Sequence, residues 1–278
     1  MSWENKNILV SVVMPNYNSE KYISEAIQSV LDQNFSNFEF IIIDDCSSDQ
    51  SWNIIQKYAK KDNRILAKRN EKNLKVSKTL NEWINLSKWK YIAIMHSDDI
   101  CDKNRLGEQY NFLEKNKNIW VVWSYVRYIS WTWEIIYKLK TKPTNPEKIK
   151  EDIWKYSPII SPTFFLRKNI FSQIWYFNEE LSRCEDFDFL VRAVINWIKL
   201  SNVDKILLNY RITDSQLSSN QREEMKTFFS IYKKYKSNFK IKFSVKIIIF
   251  IKYIIWIYFP KKVSTFLEHT YKKFKKYE

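Results

Sequence analysis

Three short runs, Ile8–Met14, Phe38–Ile43 and Tyr91–Met95, are apolar at nearly every position, and each gives way to polar turn residues and then to a segment with helical spacing. A strand that is apolar on both faces has to be covered on both. The crossover helices of a parallel sheet do this, and a one-faced antiparallel meander does not. After the turn residues Pro15, Asn16, Tyr17 and Asn18, Ser19 is placed as an N-cap, and Ile23, Ala26, Ile27, Val30 and Leu31 fall on one helical face. A helix through Trp52, Ile55, Tyr58 and Ala59, a short strand over Arg64–Lys68 and a helix over Val76–Leu86 precede the strand at Tyr91. This alternation predicts an α/β fold with a mostly parallel central sheet.

Further along, the spacing predicts a helix over Lys103–Asn116, a strand over Trp120–Ile129 with a hairpin partner over Glu134–Leu139, and a surface connection at TKPTNPEK. Pro158–Arg167 reads as irregular and then extended. A helix opens at Cys184 with Phe187, Leu190, Val191 and Val194 on one face, and Lys205–Ile212 reads as the last strand. The polar DSQLSSNQ stretch then divides a domain of residues 1–215 from a basic, aromatic-rich helical tail of residues 216–278. Within the tail, Phe243–Phe259 is apolar but carries Lys246 and Lys252. Each lysine costs about 2.5 to 3.5 kcal/mol at a bilayer centre, which disfavours a full span. A helix lying in the membrane interface fits better, with the terminal KKFKKYE adding attraction to anionic lipid, so peripheral membrane contact through residues 240–278 is expected; a packed C-terminal helical arm is the alternative.

The net charge of +15 asks for an anionic neighbour: nucleic acid, an anionic membrane surface or a phosphorylated substrate. The basic residues gather in the tail and on helix faces without an RRM, KH or OB-type signature, so a nucleic-acid binder is the weakest reading. Cys46, Cys101 and Cys184 form no CxxC pair and cannot all be bridged within one chain, which favours a reducing compartment and no zinc site. MSWENKNILV lacks a signal-peptide layout. The expected location is cytoplasmic, at the inner face of the cell membrane.

Glycine is the composition's outlier. Average usage would give roughly 19 glycines in a chain of this length, whereas Gly107 stands alone beside twelve tryptophans. Trp89, Trp131, Trp133, Trp175 and Trp197 sit where turn chemistry asks for glycine, and a bulky side chain at a positive φ is strained. The pattern fits a gene in which UGA is read as glycine, rendered here as tryptophan; the plain alternative is a Trp-rich, Gly-poor protein. Richness in Lys, Ile and Asn agrees with an AT-rich gene. Trp52, on a helix, reads as genuine.

The chemistry gathers at strand ends. In YIAIMHSDD a buried strand runs directly into His96, Ser97, Asp98 and Asp99. Open α/β sheets bind ligands beyond the carboxyl ends of their strands, and carboxylates there can hold a hard divalent cation, so the stretch points to a metal and phosphate site. The plain alternative is the solvated first turn of the next helix. Pro15 and Tyr17 end the first strand, where an aromatic ring and free backbone amides can meet a nucleobase; the alternative is a turn with a core tyrosine. Asp44 and Asp45 end the second strand, where capping and turn formation compete with ligand binding.

Taken together, VSVVMPNYNSEKYISEAIQSVLDQ, FIIIDDCSSD, YIAIMHSDD and CEDFDFLVRA resemble, in order and spacing, the motifs of family 2 glycosyltransferases over roughly residues 8–215. The resemblance implies a GT-A type, Rossmann-like three-layer α/β/α fold. It also implies inverting transfer of a sugar from a nucleotide-sugar, UDP- or dTDP-type, to the hydroxyl of a saccharide or lipid-linked acceptor in bacterial cell-surface polysaccharide or glycolipid synthesis. By that resemblance Pro15, Tyr17, Asp44, Asp45, Ser97 and Arg211 contact the donor. Asp98, in the place of the last acid of a DxD-like motif, holds Mg²⁺ or Mn²⁺. Asp186 is the base, and Glu185 orients base or acceptor. Acids in a helix's first turn also occur because the dipole favours them. Two departures stand out: His96 takes the place of the motif's first acid, and Thr213 in YRIT that of a histidine. Both leave a catalytically inactive relative as the alternative, and Arg211 is the substitute phosphate contact.

Overall fold

The computed structural model describes residues 8–139, 144–154, 160–213 and 220–259. The elements run β1 (Val10–Asn16), α1 (Ile23–Leu31), β2 (Phe38–Asp44), α2 (Ser51–Lys61), β3 (Ile65–Arg69), α3 (Lys75–Leu86), β4 (Tyr91–Ile94), β5 (Ile100–Cys101) and α4 (Arg105–Lys115). They continue as β6 (Ile119–Ile129), β7 (Ile135–Leu139), α5 (Pro146–Asp152), β8 (Phe165–Arg167), α6 (Phe171–Ile174), α7 (Glu185–Ile195), β9 (Lys199–Arg211), α8 (Gln221–Tyr235) and α9 (Phe243–Tyr258). The described strands form one sheet in the order β3-β2-β1-β4-β8-β6-β9-β5, with β7 paired to β6. Strands β3, β2, β1 and β4 are parallel, as are β6 and β9, while β8 runs antiparallel between β4 and β6.

Alternation along the strands separates two apolar cores, one on each face. Val12, Met14, Phe40, Ile42 and Ala93 point to the layer of α1, α2 and α4. Val13, Ile41, Ile43, Ile92 and Ile94 point to the layer that includes α3, α7 and α8. The expected three-layer α/β/α arrangement follows from that period of two. The domain boundary expected at 215–216 lies outside the described residues. Helices α8 and α9 place Ile231, Tyr232 and Ile249 in the second core. No helix among the described residues is long and apolar enough to cross a membrane.

Three local expectations change. Ser19 caps no helix: α1 starts at Ile23 without a side-chain cap, and the Ser19 hydroxyl turns inward to Asn16 and Ser97. Within TKPTNPEK, residues 146–148 open α5, where Asn145 accepts from the amides of Glu147 and Lys148 and Pro146 takes the first helical position. The last strand begins at Lys199, six residues earlier than expected, because Ser201 and Asn202 are buried by pairing with β6 and not by apolarity.

The tryptophans at turn positions have glycine's backbone in three of five cases: φ is 68° at Trp133, 64° at Trp175 and 61° at Trp197. Trp197 ends α7 in a Schellman motif, with the Ile198 amide bonding Ala193 O at 3.0 Å and its own amide bonding Val194 O at 3.2 Å, so it stands at the left-handed C′ position. Trp133 stands in the left-handed bulge position of the β6–β7 hairpin, its amide on Ser130 O and the Ser130 amide on Glu134 O. Trp175 combines φ 64° with ψ 172°, a region essentially reserved for glycine. Its side chain is 80% exposed and that of Trp197 82%. Elsewhere, Trp83, Trp89, Trp123 and Trp154 bury indole N–H groups without a partner, and Asn202, opposite Trp123 across β6–β9, leaves its whole amide unpaired. Replacing Trp133, Trp175 or Trp197 by glycine is expected to raise stability by about 1 to 2 kcal/mol each, read as a higher urea midpoint. Trp52→Gly, inside α2, should lower it by about 1 kcal/mol. Sequencing the gene should show UGA at 133, 175 and 197; UGG there would overturn the reading.

Candidate active site at the carboxyl ends of the parallel strands

Register alone brings the first three motifs together. Asn16 pairs with Asp44 across β1–β2, and Val13 pairs with Ile94 across β1–β4, so all three strands end along one edge. A small polar knot ties those ends. Asn16 Nδ2 donates to Asp44 Oδ1 at 2.8 Å and to Ser47 Oγ at 3.2 Å, and the Ser19 hydroxyl joins Asn16 Oδ1 and, at 2.9 Å, Ser97 Oγ. Asp44 is fully buried, accepts from the Ser47 amide at 3.1 Å and pairs with Arg69 at 3.2 Å. Tyr17 lies beside this knot, 53% exposed, with Pro15 half-buried before it. Asp45 is used differently. Its carboxylate accepts from Asn70 Nδ2 and from the amides of Leu74 and Lys75, fixing the start of α3. Of the two acids, Asp44 is therefore the one facing the polar knot at the strand ends, and Asp45 is a cap.

Beyond β4, His96, Asp98 and Asp99 bring one ligand atom each within 4.8 Å of one another. Burial pushes the His96 imidazole below its ordinary pKa, which keeps it neutral and able to ligate. Burial, and then the charge of Asp98, hold the Asp99 carboxyl well above the usual carboxylate range. Asp99 Oδ1 accepts the Arg211 amide at 2.9 Å, while the buried Oδ2 has no hydrogen-bond partner. An orphaned carboxylate oxygen beside a second carboxylate and a neutral imidazole suits a divalent cation, with the nitrogen inclining the set toward Mn²⁺. Asp99 thus joins Asp98 in the candidate ligand set, and His96 becomes a candidate ligand and not merely a departure.

Arg211 has a different place from the expected phosphate contact. It is buried, with its Nε on Asp98 O at 3.1 Å, one terminal nitrogen on Trp131 O at 3.3 Å and the other on Glu25 Oε2 at 2.6 Å. Its donors hold the acidic loop, so it positions ligands. Arg105, also buried, supports the loop from below through Ile94 O at 2.6 Å and Met95 Sδ at 3.2 Å, and burial lowers its pKa to about 10.

The fourth motif opens α7. Cys184 takes a left-handed conformation with φ 56°, and Glu185 and Asp186 follow in the first turn. Burial pushes Glu185 up to about 8, reinforced by the charge of Asp186, and burial also raises Asp186. Asp186 accepts from the Phe187 amide at 2.7 Å and from the Ser161 hydroxyl. Because β8 runs antiparallel to β4, the segment before Phe165 lies at the edge where β4 ends, and the Ile94 amide bonds Phe164 O at 2.9 Å. Ser161 therefore draws the Asp186 turn toward the edge that carries His96–Asp99. Asp188 stays out of the site, buried against Arg192 at 2.7 Å.

Sequence reasoning missed Asn16, Ser19, Ser47, Glu25, Arg69, Arg105 and Ser161 as parts of this arrangement. Asn16 and Ser19 stood in the first motif as turn and cap; the others act through side-chain contacts, as far apart as the 186 residues between Glu25 and Arg211, that no local pattern announces.

Comparison with known proteins bears on the family and the fold. The family model described as "Glycosyl transferase family 2" matches residues 11–175. An uncharacterized glycosyltransferase of Methanocaldococcus jannaschii is 33% identical over 233 residues, covering 82% of this chain and 80% of that protein. The UDP-Glc:alpha-D-GlcNAc-diphosphoundecaprenol beta-1,3-glucosyltransferase WfaP of Escherichia coli is 29% identical over 217 residues, covering 78% and 82%. Among solved structures, the mannosyltransferase PcManGT from Pyrobaculum calidifontis, in complex with GDP-Man and Mn²⁺, superposes with a TM-score of 0.66 at 11% identity, covering 90% of this chain and 70% of that one. That likeness supports the fold.

Asp98→Ala is expected to weaken manganese binding at least about 100-fold by titration calorimetry. Asp45→Ala, which removes a cap, should lower the urea midpoint and leave the manganese affinity of the folded protein near wild type.

Proposed function

The chain belongs to glycosyl transferase family 2, and from that premise we propose that it moves a sugar from a nucleoside-diphosphate donor to an acceptor hydroxyl with inversion at the anomeric carbon. The observation that carries this reading is the pairing, along one sheet edge, of a candidate cation cluster (His96, Asp98, Asp99) with an acid turn of raised pKa (Glu185, Asp186). The first suits a departing diphosphate. The second suits deprotonation of an acceptor.

The residues divide as follows. Tyr17 and Pro15 offer a ring and an edge to the nucleobase, and Asp44 accepts a hydrogen bond from its N–H, which favours a uracil or thymine base. Ser97 lies between the base end and the cation cluster, its hydroxyl tied to Ser19. Asp98, with Asp99 and His96, would hold a divalent cation, Mg²⁺ or Mn²⁺, which when bound would supply Lewis-acid neutralisation of the leaving diphosphate. Asp186, whose carboxyl is raised by burial, takes the proton from the acceptor hydroxyl as that oxygen attacks C1 opposite the leaving group. Glu185, protonated at neutral pH, donates a hydrogen bond that orients the acceptor. The likeness to WfaP, whose name gives a diphosphoundecaprenol acceptor, supports a lipid-linked saccharide as acceptor class and a role in cell-surface polysaccharide synthesis.

The pH dependence follows from the two shifts. A carboxyl group raised above its ordinary value stays protonated to higher pH, so base activity appears only as Asp186 ionises, above the ordinary aspartate range. Loss of the Glu185 proton near 8 should then reduce kcat/KM, giving a bell. Glu185→Gln keeps a hydrogen-bond donor and should abolish the alkaline fall. Asp186→Asn should lower kcat by about 10² to 10⁴-fold with the donor Kd unchanged. A variant with wild-type kcat would remove Asp186 from the role of base.

A further inference from the structure

Helix α9 is held by one face and offers the other. Val245 and Ile249 pack into the core, Trp256 is buried, and Tyr253 stacks on Phe229 of α8 with ring centroids 4.1 Å apart. The opposite stripe, Phe243, Ile247, Phe250, Ile251 and Tyr258, follows helical spacing and remains exposed, from 42% at Ile247 to 77% at Phe243. Five large apolar side chains on one solvent-facing stripe are unusual for a surface left to water.

The surrounding charge selects what covers it. Between Glu224 and Glu268 the chain has ten lysines and no carboxylate. Lys233, Lys234, Lys236, Lys240, Lys242 and Lys246 are exposed around the start of the helix. A second copy of the chain would bring the same lysines against these and be repelled. A soluble polyanion would pair with the lysines but offer no apolar phase to Phe250 and Ile251. A helix of 16 residues interrupted by Lys246 and Lys252 does not cross a bilayer. We propose that α9 docks in the plane of an anionic lipid surface, with the 243–247–250–251–258 stripe at the acyl boundary and the lysines at the headgroups.

The position of this face gives the docking a consequence for the reaction. Helix α9 packs on α8, where Arg222 also bonds Ile257 O, and α8 packs on the first turn of α7 through the Phe187–Phe228 ring contact at 4.9 Å and a Cys184 Sγ to Glu224 O contact at 3.7 Å. One helix therefore separates the lipid-facing stripe from Glu185 and Asp186. Docking holds the acceptor side of the catalytic edge near the bilayer, where a lipid-linked acceptor presents its sugar. This consequence rests on the transfer reaction proposed above; the docking itself does not.

The test is co-flotation of the full chain with vesicles of phosphatidylcholine alone and of phosphatidylcholine with phosphatidylglycerol, with donor hydrolysis in solution read in parallel as a check on the folded site. The wild type should float with the anionic vesicles and far less with the neutral ones. Phe250→Glu combined with Ile251→Glu should reduce binding tenfold or more, and Lys240→Glu with Lys242→Glu and Lys246→Glu should remove the preference for anionic lipid, both with unchanged donor hydrolysis. Wild-type protein that stays in the aqueous fraction, an apolar-stripe variant that floats as well as wild type, or a stable dimer broken by Phe250→Glu would each overturn the proposal. Absence of sugar transfer in protein that still floats would count against the reaction and leave the docking standing.

Discussion

The acidic loop after β4 depends on one buried guanidinium. Arg211, at the end of β9, reaches the Asp98 carbonyl, the hairpin carbonyl of Trp131 and the Glu25 carboxylate on α1, while its own amide holds Asp99. A single side chain thereby joins the last strand, the β6–β7 hairpin, the first helix and the candidate metal ligands. Without it, Arg105 would be left as the positive charge acting on Asp99, and the Asp98 carbonyl and Asp99 carboxylate would lose the donors that hold their loop. Breaking a buried ion pair on one side typically costs about 3 to 5 kcal/mol, because the partner is left uncompensated. Glu25 is half exposed here, so part of that cost is screened.

The same economy of position recurs at the ends of β1, β2 and β4. Asn16, Ser19, Ser47 and Ser97 are small and buried, and their hydrogen bonds connect β1, β2 and β4 where the strands stop. Most buried amides and hydroxyls are paired, and here each pairing also sets the edge on which Tyr17 and Asp44 lie. Asp44 and Asp45 are adjacent in sequence and alike in chemistry, yet the alternation of the strand turns one to the knot and the other to the start of α3. Adjacent acids can thus serve unrelated ends.

Tryptophan at glycine positions bears first on stability. Trp133, Trp175 and Trp197 stand in a hairpin bulge, a glycine-only region and a Schellman C′ position, three different backbone devices that share the need for a positive φ. A coincidence of composition would not select such positions. The unpaired indoles of Trp83, Trp89, Trp123 and Trp154 add a second, independent strain, since an unsatisfied buried donor costs about 1 to 3 kcal/mol. The aromatic ring of Trp133 lies 5.3 Å from the Arg211 guanidinium, so its replacement touches the edge of the site as well.

From the sequence alone came a mostly parallel sheet covered on both faces, the first strands and the helices between them, the four motifs and the acids they carry, because period-two and period-3.6 patterns and residues at strand ends are local properties. The glycine-like turns were legible for the same reason: a turn's demand on φ is met or violated by a single residue. What only the tertiary structure decided was what each side chain faces. It made Ser19 a buried link and not a cap, separated Asp44 from Asp45, moved Arg211 from a phosphate contact to a clamp, and brought His96 and Asp99 beside Asp98 as a candidate ligand set. These roles arise from contacts such as Glu25 to Arg211, 186 residues apart, and no local pattern encodes which of several arginines lands beside which acid.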